Sequence, residues 1–190
     1  RCPRVIATDL RVEPLTVARE TILRAGQTDK VDCRLGDGLS VVQPNEVRDI
    51  IIAGMSGESI CSILEAAPWT RSDAYNFILV PTTKHGVLRR WLYQNGYELR
   101  GEVPVQQRRY CYTVMQAAYT ARTAEPDALF CALGLYLGQK GNGTLCYLKK
   151  IQMRAEKELR GKRAGTRYPD LAAEEALCQQ IAEEVKRCQE

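Results

Sequence analysis

From Val5 to Ala118, short apolar runs alternate with segments whose apolar residues recur every three or four positions. Val5-Ile6-Ala7, ending at Asp9, reads as a strand, as do Val31 to Leu35, Ile50 to Ala53 and Asn76 to Val80. Leu15, Ala18, Ile22 and Ala25 mark one face of a helix over Pro14 to Ala25, stopped by Gly26. Further helices are predicted over Glu58 to Ala66 and Val87 to Gln94. Strands alternating with helices call for a mostly parallel sheet covered on both faces. The unbroken run Ile50-Ile51-Ile52 then predicts a strand buried on both sides. Tyr97 to Val103 and Tyr110 to Ala118 are two more strands with no helix between them, which places an antiparallel pair at one edge.

After Ala118 the pattern changes. Pro126 to Leu137 is predicted helical and leads into the break Gly138 to Gly143. Leu145, Leu148, Gln152, Ala155 and Leu159 then keep a helical spacing, and so do Leu171, Glu174, Cys178, Ile181, Val185 and Cys188. The turn between them holds Gly161, Gly165 and Pro169, so the two segments predict a heptad-like antiparallel hairpin. The expected division is an α/β unit over 1–122 and a helical hairpin over 123–190. Leu145 to Tyr168 carries eight bases and two acids, whereas Pro169 to Glu190 carries six acids and two bases. The basic run therefore reads either as a solvated face matched to the acidic helix or as a grip on an RNA backbone.

Composition excludes several classes. With 45% apolar and 26% charged residues the chain is an ordinary globular protein, not a disordered or low-complexity one. No run of about 18 apolar residues is present, so no membrane partner is expected. No apolar leader follows Arg1-Cys2-Pro3-Arg4, and none of the eight cysteines pairs in a C-x-x-C spacing. With His85 as the sole histidine, the expectation is no metal and reduced thiols in the cytoplasm.

In a doubly wound sheet, ligands bind at the carboxyl ends of the strands. Asp9 stands at the first such end and could take both hydroxyls of a ribose, or simply sit as a turn carboxylate before a helix. Asp37, in Gly36-Asp37-Gly38-Leu39, could accept from an adenine amino group or belong to a plain turn. Ala53-Gly54-Met55-Ser56-Gly57 leaves its strand with two glycines, which suits either the close approach of a flat ligand or a tight strand-to-helix turn.

Taken together these segments are more specific. V-I-A-T-D-L-R-x-x-P-L-x-x-A-R, R-L-G-D-G-L and D-I-I-I-A-G-M-S-G-E-S-I-C-S-I-L resemble the bacterial tRNA (adenine(22)-N(1))-methyltransferase family. So do I-L-V-P-T-T-K-x-x-x-L-R-R-W-L-Y-x-N-G-Y-E-L and C-Y-T-V. The resemblance spans Val5 to Ala118, and the helical hairpin matches that family's C-terminal coiled-coil domain in type. It implies a class I methyltransferase fold, Rossmann-like with an antiparallel last strand, using S-adenosylmethionine on tRNA in the cytoplasm. The cofactor residues it implies are Asp9, Leu10, Asp37, Gly38, Leu39, Ala53, Gly54 and Met55. The implied substrate residues are Ser56, Gly57, Pro81, Thr82, Arg89 and Arg90. No catalytic base and no oligomeric state are implied.

Three positions depart from the family. Ser56 replaces a usual glycine, and Val80-Pro81-Thr82 stands where the family usually reads Q-P-N or Q-P-M. The family's first strand, which lies mid-sheet, and its D-x-G-x-D-H loop have no counterpart, so the chain is expected to be an incomplete copy whose two flanking strand edges lack a partner. In the reaction the resemblance implies, adenine N1 attacks the sulfonium methyl through its own lone pair, so alignment matters more than a strong base. The target base must be unpaired, and aromatic rings would hold it. Trp91, Tyr93, Tyr110 and Tyr112 are the candidates for that, with core packing as the other reading of each. His85 lies near the expected site, or is an exposed residue opening a helix. The alternative function is an inactive or truncated methyltransferase-like module that binds RNA or a protein partner. A small-molecule methyltransferase would not need the basic appendage.

Overall fold

The computed structural model describes residues 3–108, 110–165 and 170–190. Arg1, Cys2, Arg167, Tyr168 and Pro169, each used above, lie outside the described residues. The strands are β1 (Val5–Asp9), β2 (Val31–Leu35), β3 (Asp49–Ala53), β4 (Asn76–Val80), β5 (Tyr97–Gln107) and β6 (Tyr110–Tyr119). The helices are α1 (Val12–Arg24), α2 (Gly57–Glu65), α3 (His85–Gln94), α4 (Ala128–Leu133), α5 (Asn142–Arg163) and α6 (Ala172–Gln189). Helix α1 starts two residues earlier than predicted, because Pro14 sits in a first turn where its missing N–H costs nothing.

The strands form two groups. β1 pairs with β2 in parallel, and β3-β4-β6-β5 forms a second sheet in which β3 and β4 are parallel. β6 runs antiparallel between β4 and β5, which is the expected antiparallel ending. Among the described residues, β1 and β3 each pair on one side only.

One face of the larger sheet carries the core. Ile50, Ile52, Phe77, Leu79, Met115 and Ala117 pack with Ile60 and Leu64 of α2 and Leu88 and Leu92 of α3. Alternation along a strand puts Ile51 on the other face, and there the prediction of a strand buried on both sides fails: Ile51 is 69% exposed. No described element covers that face beside β3. Apolarity alone does not reveal whether a cover exists.

A second cluster joins Cys111 of β6 and Leu133 to Tyr147, Leu148 and Ile151 of α5 and to Ile181 and Val185 of α6. The expected coiled coil is therefore a hairpin whose inner half is packed on the sheet, with Leu159 the buried residue of outer α5. Salt bridges tie the outer half together, Lys162 to Glu174 at 2.6 Å and Arg163 to Glu175 at 2.7 Å.

Arg89 anchors the second cluster to the first. Its fully buried guanidinium donates to Glu102 Oε1 at 3.0 and 2.8 Å, to the Cys131 and Ala132 carbonyls at 2.8 Å, and to the Tyr147 hydroxyl at 2.8 Å. Glu102 Oε2 accepts the Leu135 N–H at 2.6 Å. Burial opposes the Arg89 charge, but Tyr147 and Glu102 outweigh it and raise its pKa above the ordinary value.

Candidate functional site

The ends of β1, β2 and β3 open onto one cleft of about 500 Å3, lined by Asp9, Leu10, Asp37, Gly38, Leu39 and the loop Ala53-Gly54-Met55. All eight expected cofactor residues thus share one wall system. They do so because parallel strands deliver their carboxyl ends to the same side of a sheet. Asp9 Oδ1 accepts the Arg11 backbone N–H at 2.9 Å, which fixes the carboxylate on the turn out of β1. Its other oxygen, and both oxygens of exposed Asp37, have no partner among the described residues. Thr8, Arg11, Ile51, Ile52 and Ile63 also line the cleft and were missed from sequence. Arg11, two residues beyond a strand-ending acid, was within reach of that reasoning.

The β3–α2 and β4–α3 loops are zipped together. Thr82 N–H donates to the Met55 carbonyl at 2.9 Å and Gly57 N–H to the Thr83 carbonyl at 2.9 Å, continuing the parallel ladder past both strands. A Cβ at Gly57 would run into the Lys84 carbonyl, so glycine is what lets the loops approach. Gly54 has φ +82°, a left-handed turn that a side chain would strain.

The substrate candidates divide. Gly57, Pro81 and Thr82 lie in the zipped loops, although Thr82 Oγ1 is already donating to the Met55 carbonyl at 3.1 Å. Ser56 is the N-cap of α2: its Oγ accepts the Ser59 N–H at 3.1 Å and bonds the Ser59 hydroxyl at 2.9 Å. Its departure from glycine therefore serves helix capping, a signal legible in a serine just before a helix. Arg89 is a correction. Expected to reach substrate, it is interior, with its guanidinium committed to Glu102, Tyr147 and two carbonyls. Arg90 faces outward and pairs with Glu125 at 2.7 Å.

His85, expected as an exposed residue or a site residue, is 3% exposed. Trp91 stacks on Tyr97 and Tyr93 meets Phe130 edge-on, so both are core rings. Tyr110 is 52% exposed beside a groove lined by Lys149, Lys150, Met153, Arg154 and Lys157. The basic run divides between the two halves of α5. Lys162 and Arg163 pair with α6, whereas Lys149, Arg154 and Lys157 form no ion pair among the described residues.

Comparison with known proteins bears on the fold and the family. The sequence profile of the family described as "Methyltransferase domain" matches residues 1–115. The tRNA (adenine(22)-N(1))-methyltransferase of Bacillus subtilis (strain 168) is 32% identical over 133 residues, which is 70% of this chain and 56% of that protein. The chain thus spans little more than half the length of that curated relative. A Streptococcus pneumoniae structure, described as a putative tRNA (m1A22) methyltransferase in complex with S-adenosyl-L-methionine, superposes with TM-score 0.76 at 23% identity, covering 99% of this chain and 82% of that one. An M. capricolum protein in complex with S-adenosyl-homocysteine gives TM-score 0.73 at 18% identity over 98% of this chain and 82% of that one. These likenesses show a Rossmann-like fold, and the profile match over more than half the sequence shows that the chain belongs to the methyltransferase-domain family.

Proposed function

We propose that the cleft at the strand tips binds S-adenosylmethionine and that the protein methylates N1 of adenine 22 in tRNA. The observation that carries this reading is the pair Asp9 and Asp37, brought to one cleft with three of their four carboxylate oxygens engaged by no described residue. The residues fit the group. Two uncommitted acceptors suit a ribose diol and an adenine amino group, and a volume of about 500 Å3 suits a nucleoside-sized ligand. Asp9 would hold the ribose and Asp37 the amino group. Gly38, Leu39 and Ile63 would flank the ring, with Ala53 to Met55 beneath the methionine side.

Bound there, the cofactor supplies an electrophilic methyl on a sulfonium centre. The chain's own part is alignment: the zipped loops hold Met55, Gly57 and Thr82 as a rigid shelf where the target base meets that methyl. The uncompensated bases of α5 suit an RNA backbone, which supports tRNA as the substrate. The name of the Bacillus subtilis relative points to the same chemistry.

Calorimetric titration with S-adenosylmethionine, followed by methyl transfer to tRNA carrying adenine or guanine at position 22, tests the proposal. Saturable binding with adenine-dependent transfer is expected, and tight binding to neither ligand overturns it. A second reading, an RNA-binding module without turnover, is favoured by the edges of β1 and β3 beside the cleft, which no described strand pairs. It predicts tRNA binding with no uptake of the cofactor.

A further inference from the structure

Between the N-terminus of α3 and the helical hairpin lies a second cleft, of about 550 Å3, lined by Thr83, Lys84, His85, Arg154 and Glu158 together with apolar residues of α5 and α6. His85 is the chain's only histidine. Its Nε2 is buried and has no hydrogen-bond partner among the described residues. The other ring nitrogen is engaged by the Pro81 backbone, where a carbonyl requires a donor, so Nδ1 carries the proton and Nε2 is a bare acceptor. Burial first, then the charges of Arg89, Lys150 and Arg154, push the imidazole pKa down to about 3 and keep the ring neutral. The ring packs edge-on against Tyr147 at 6.0 Å, which holds it in place. A buried acceptor without a donor is costly, and a ligand that brings the donor resolves it.

The surroundings say which ligand. Thr83 lines this cleft and is laddered to Ser56, so the cleft adjoins the shelf where the target base is placed. Arg154 lines it too, and also lines the groove of Tyr110, Lys149 and Lys157 on α5. Arg154 thus joins this cleft to the basic groove, and the Ser56–Thr83 ladder sets it beside the zipped loops. Lys84, 57% exposed and 3.8 Å from Glu58, adds a second cation, with Glu158 the acid of the cleft lining.

We propose that this cleft is a nucleotide subsite for RNA, taking the nucleotide next to the target adenine, with its phosphate on Lys84 and Arg154 and, as the side chains over the ring part to admit it, a base N–H on His85 Nε2. The assignment rests on the RNA-methylating reading above. It makes His85 a specificity-determining contact rather than a catalytic residue.

The lone imidazole gives a clean probe. The chain, saturated with S-adenosylhomocysteine so that the cofactor cleft is closed to competitors, is titrated with cytidine monophosphate, with ribose 5-phosphate and with a single-stranded RNA tetranucleotide, while the imidazole 15N resonances are followed. The tetranucleotide and cytidine monophosphate are expected to shift the Nε2 signal. His85→Phe, which keeps a ring against Tyr147, is expected to weaken both about tenfold and leave ribose 5-phosphate unchanged. Arg154→Ala is expected to weaken all three and serves should His85→Phe fail to fold. An Nε2 signal unmoved at saturating nucleotide, or equal affinity in His85→Phe, overturns the assignment. Binding of the mononucleotide but not the tetranucleotide overturns its RNA part. Failure of S-adenosylhomocysteine to bind while the imidazole still responds to RNA removes the proposed function and leaves the subsite standing.

Discussion

Asp9 and Asp37 face a cleft with all but one of their carboxylate oxygens engaged by no described residue, while Arg89 and Glu102 are buried together, with Arg89 donating to four different groups. From sequence all of the first three stood as site candidates, since each is charged and near a strand end or helix start. What separates them is whether their hydrogen-bonding capacity is already filled. A filled charge holds the fold together, and an unfilled one at the tips of parallel strands is available to a ligand.

The contrast breaks most visibly at the knot. Arg89→Ala leaves Glu102 buried without its partner and is expected to cost about 3–5 kcal/mol. Urea denaturation measures this. Adding Glu102→Leu to Arg89→Met should recover part of the loss, because an apolar pair removes the stranded charge, though the Cys131 and Ala132 carbonyls stay unserved. A single variant as stable as the parent contradicts the structural role of Arg89.

The zipped loops come next. Gly57→Ala sets a methyl against the Lys84 carbonyl and should cost about 1–3 kcal/mol by thermal unfolding, with weaker cofactor binding as the loops part. Ser56→Ala removes the α2 cap and should cost about 1 kcal/mol, whereas Ser56→Gly should cost only a few tenths. If Ser56→Ala instead left stability unchanged and abolished methyl transfer, Ser56 would return to the substrate site.

The same contrast has a pH dependence. The folded-state pKa of His85, about 3, lies below the ordinary 6.5, so the unfolded chain binds the proton more readily. Stability is full above pH 6.5 and is lost as the pH falls toward 3. Arg89 on α3 and Lys150 and Arg154 on α5 face the ring and deepen the shift. Between pH 6.5 and about 5, above the ordinary carboxylate range, the melting temperature should decline in the parent and stay flatter in His85→Phe. Equal slopes would contradict a buried neutral imidazole.

Much of the architecture is legible in the residues, because period-two and helical spacings report directly which face each element buries. The strands Val31–Leu35 and Asn76–Val80 fall on their predicted bounds, and the antiparallel ending follows from two strands with no helix between them. Contact between distant parts is not legible. Nothing local to Ile51 tells that its face lacks a cover, and nothing in Arg89 names Glu102 or Tyr147, thirteen and fifty-eight residues away. His85 reads as polar and therefore exposed, until α5 is seen to fold over it. β5 runs to Gln107, beyond the predicted Val103, because pairing with β6 carries it past the end of its apolar pattern.

The most direct test is calorimetric titration of S-adenosylhomocysteine into the parent and into the double variant Asp9→Asn, Asp37→Asn. The account predicts an affinity loss of about a hundredfold or more in the double variant, with an unchanged melting temperature, since neither carboxylate supports the core. Equal affinity in the two proteins would contradict it.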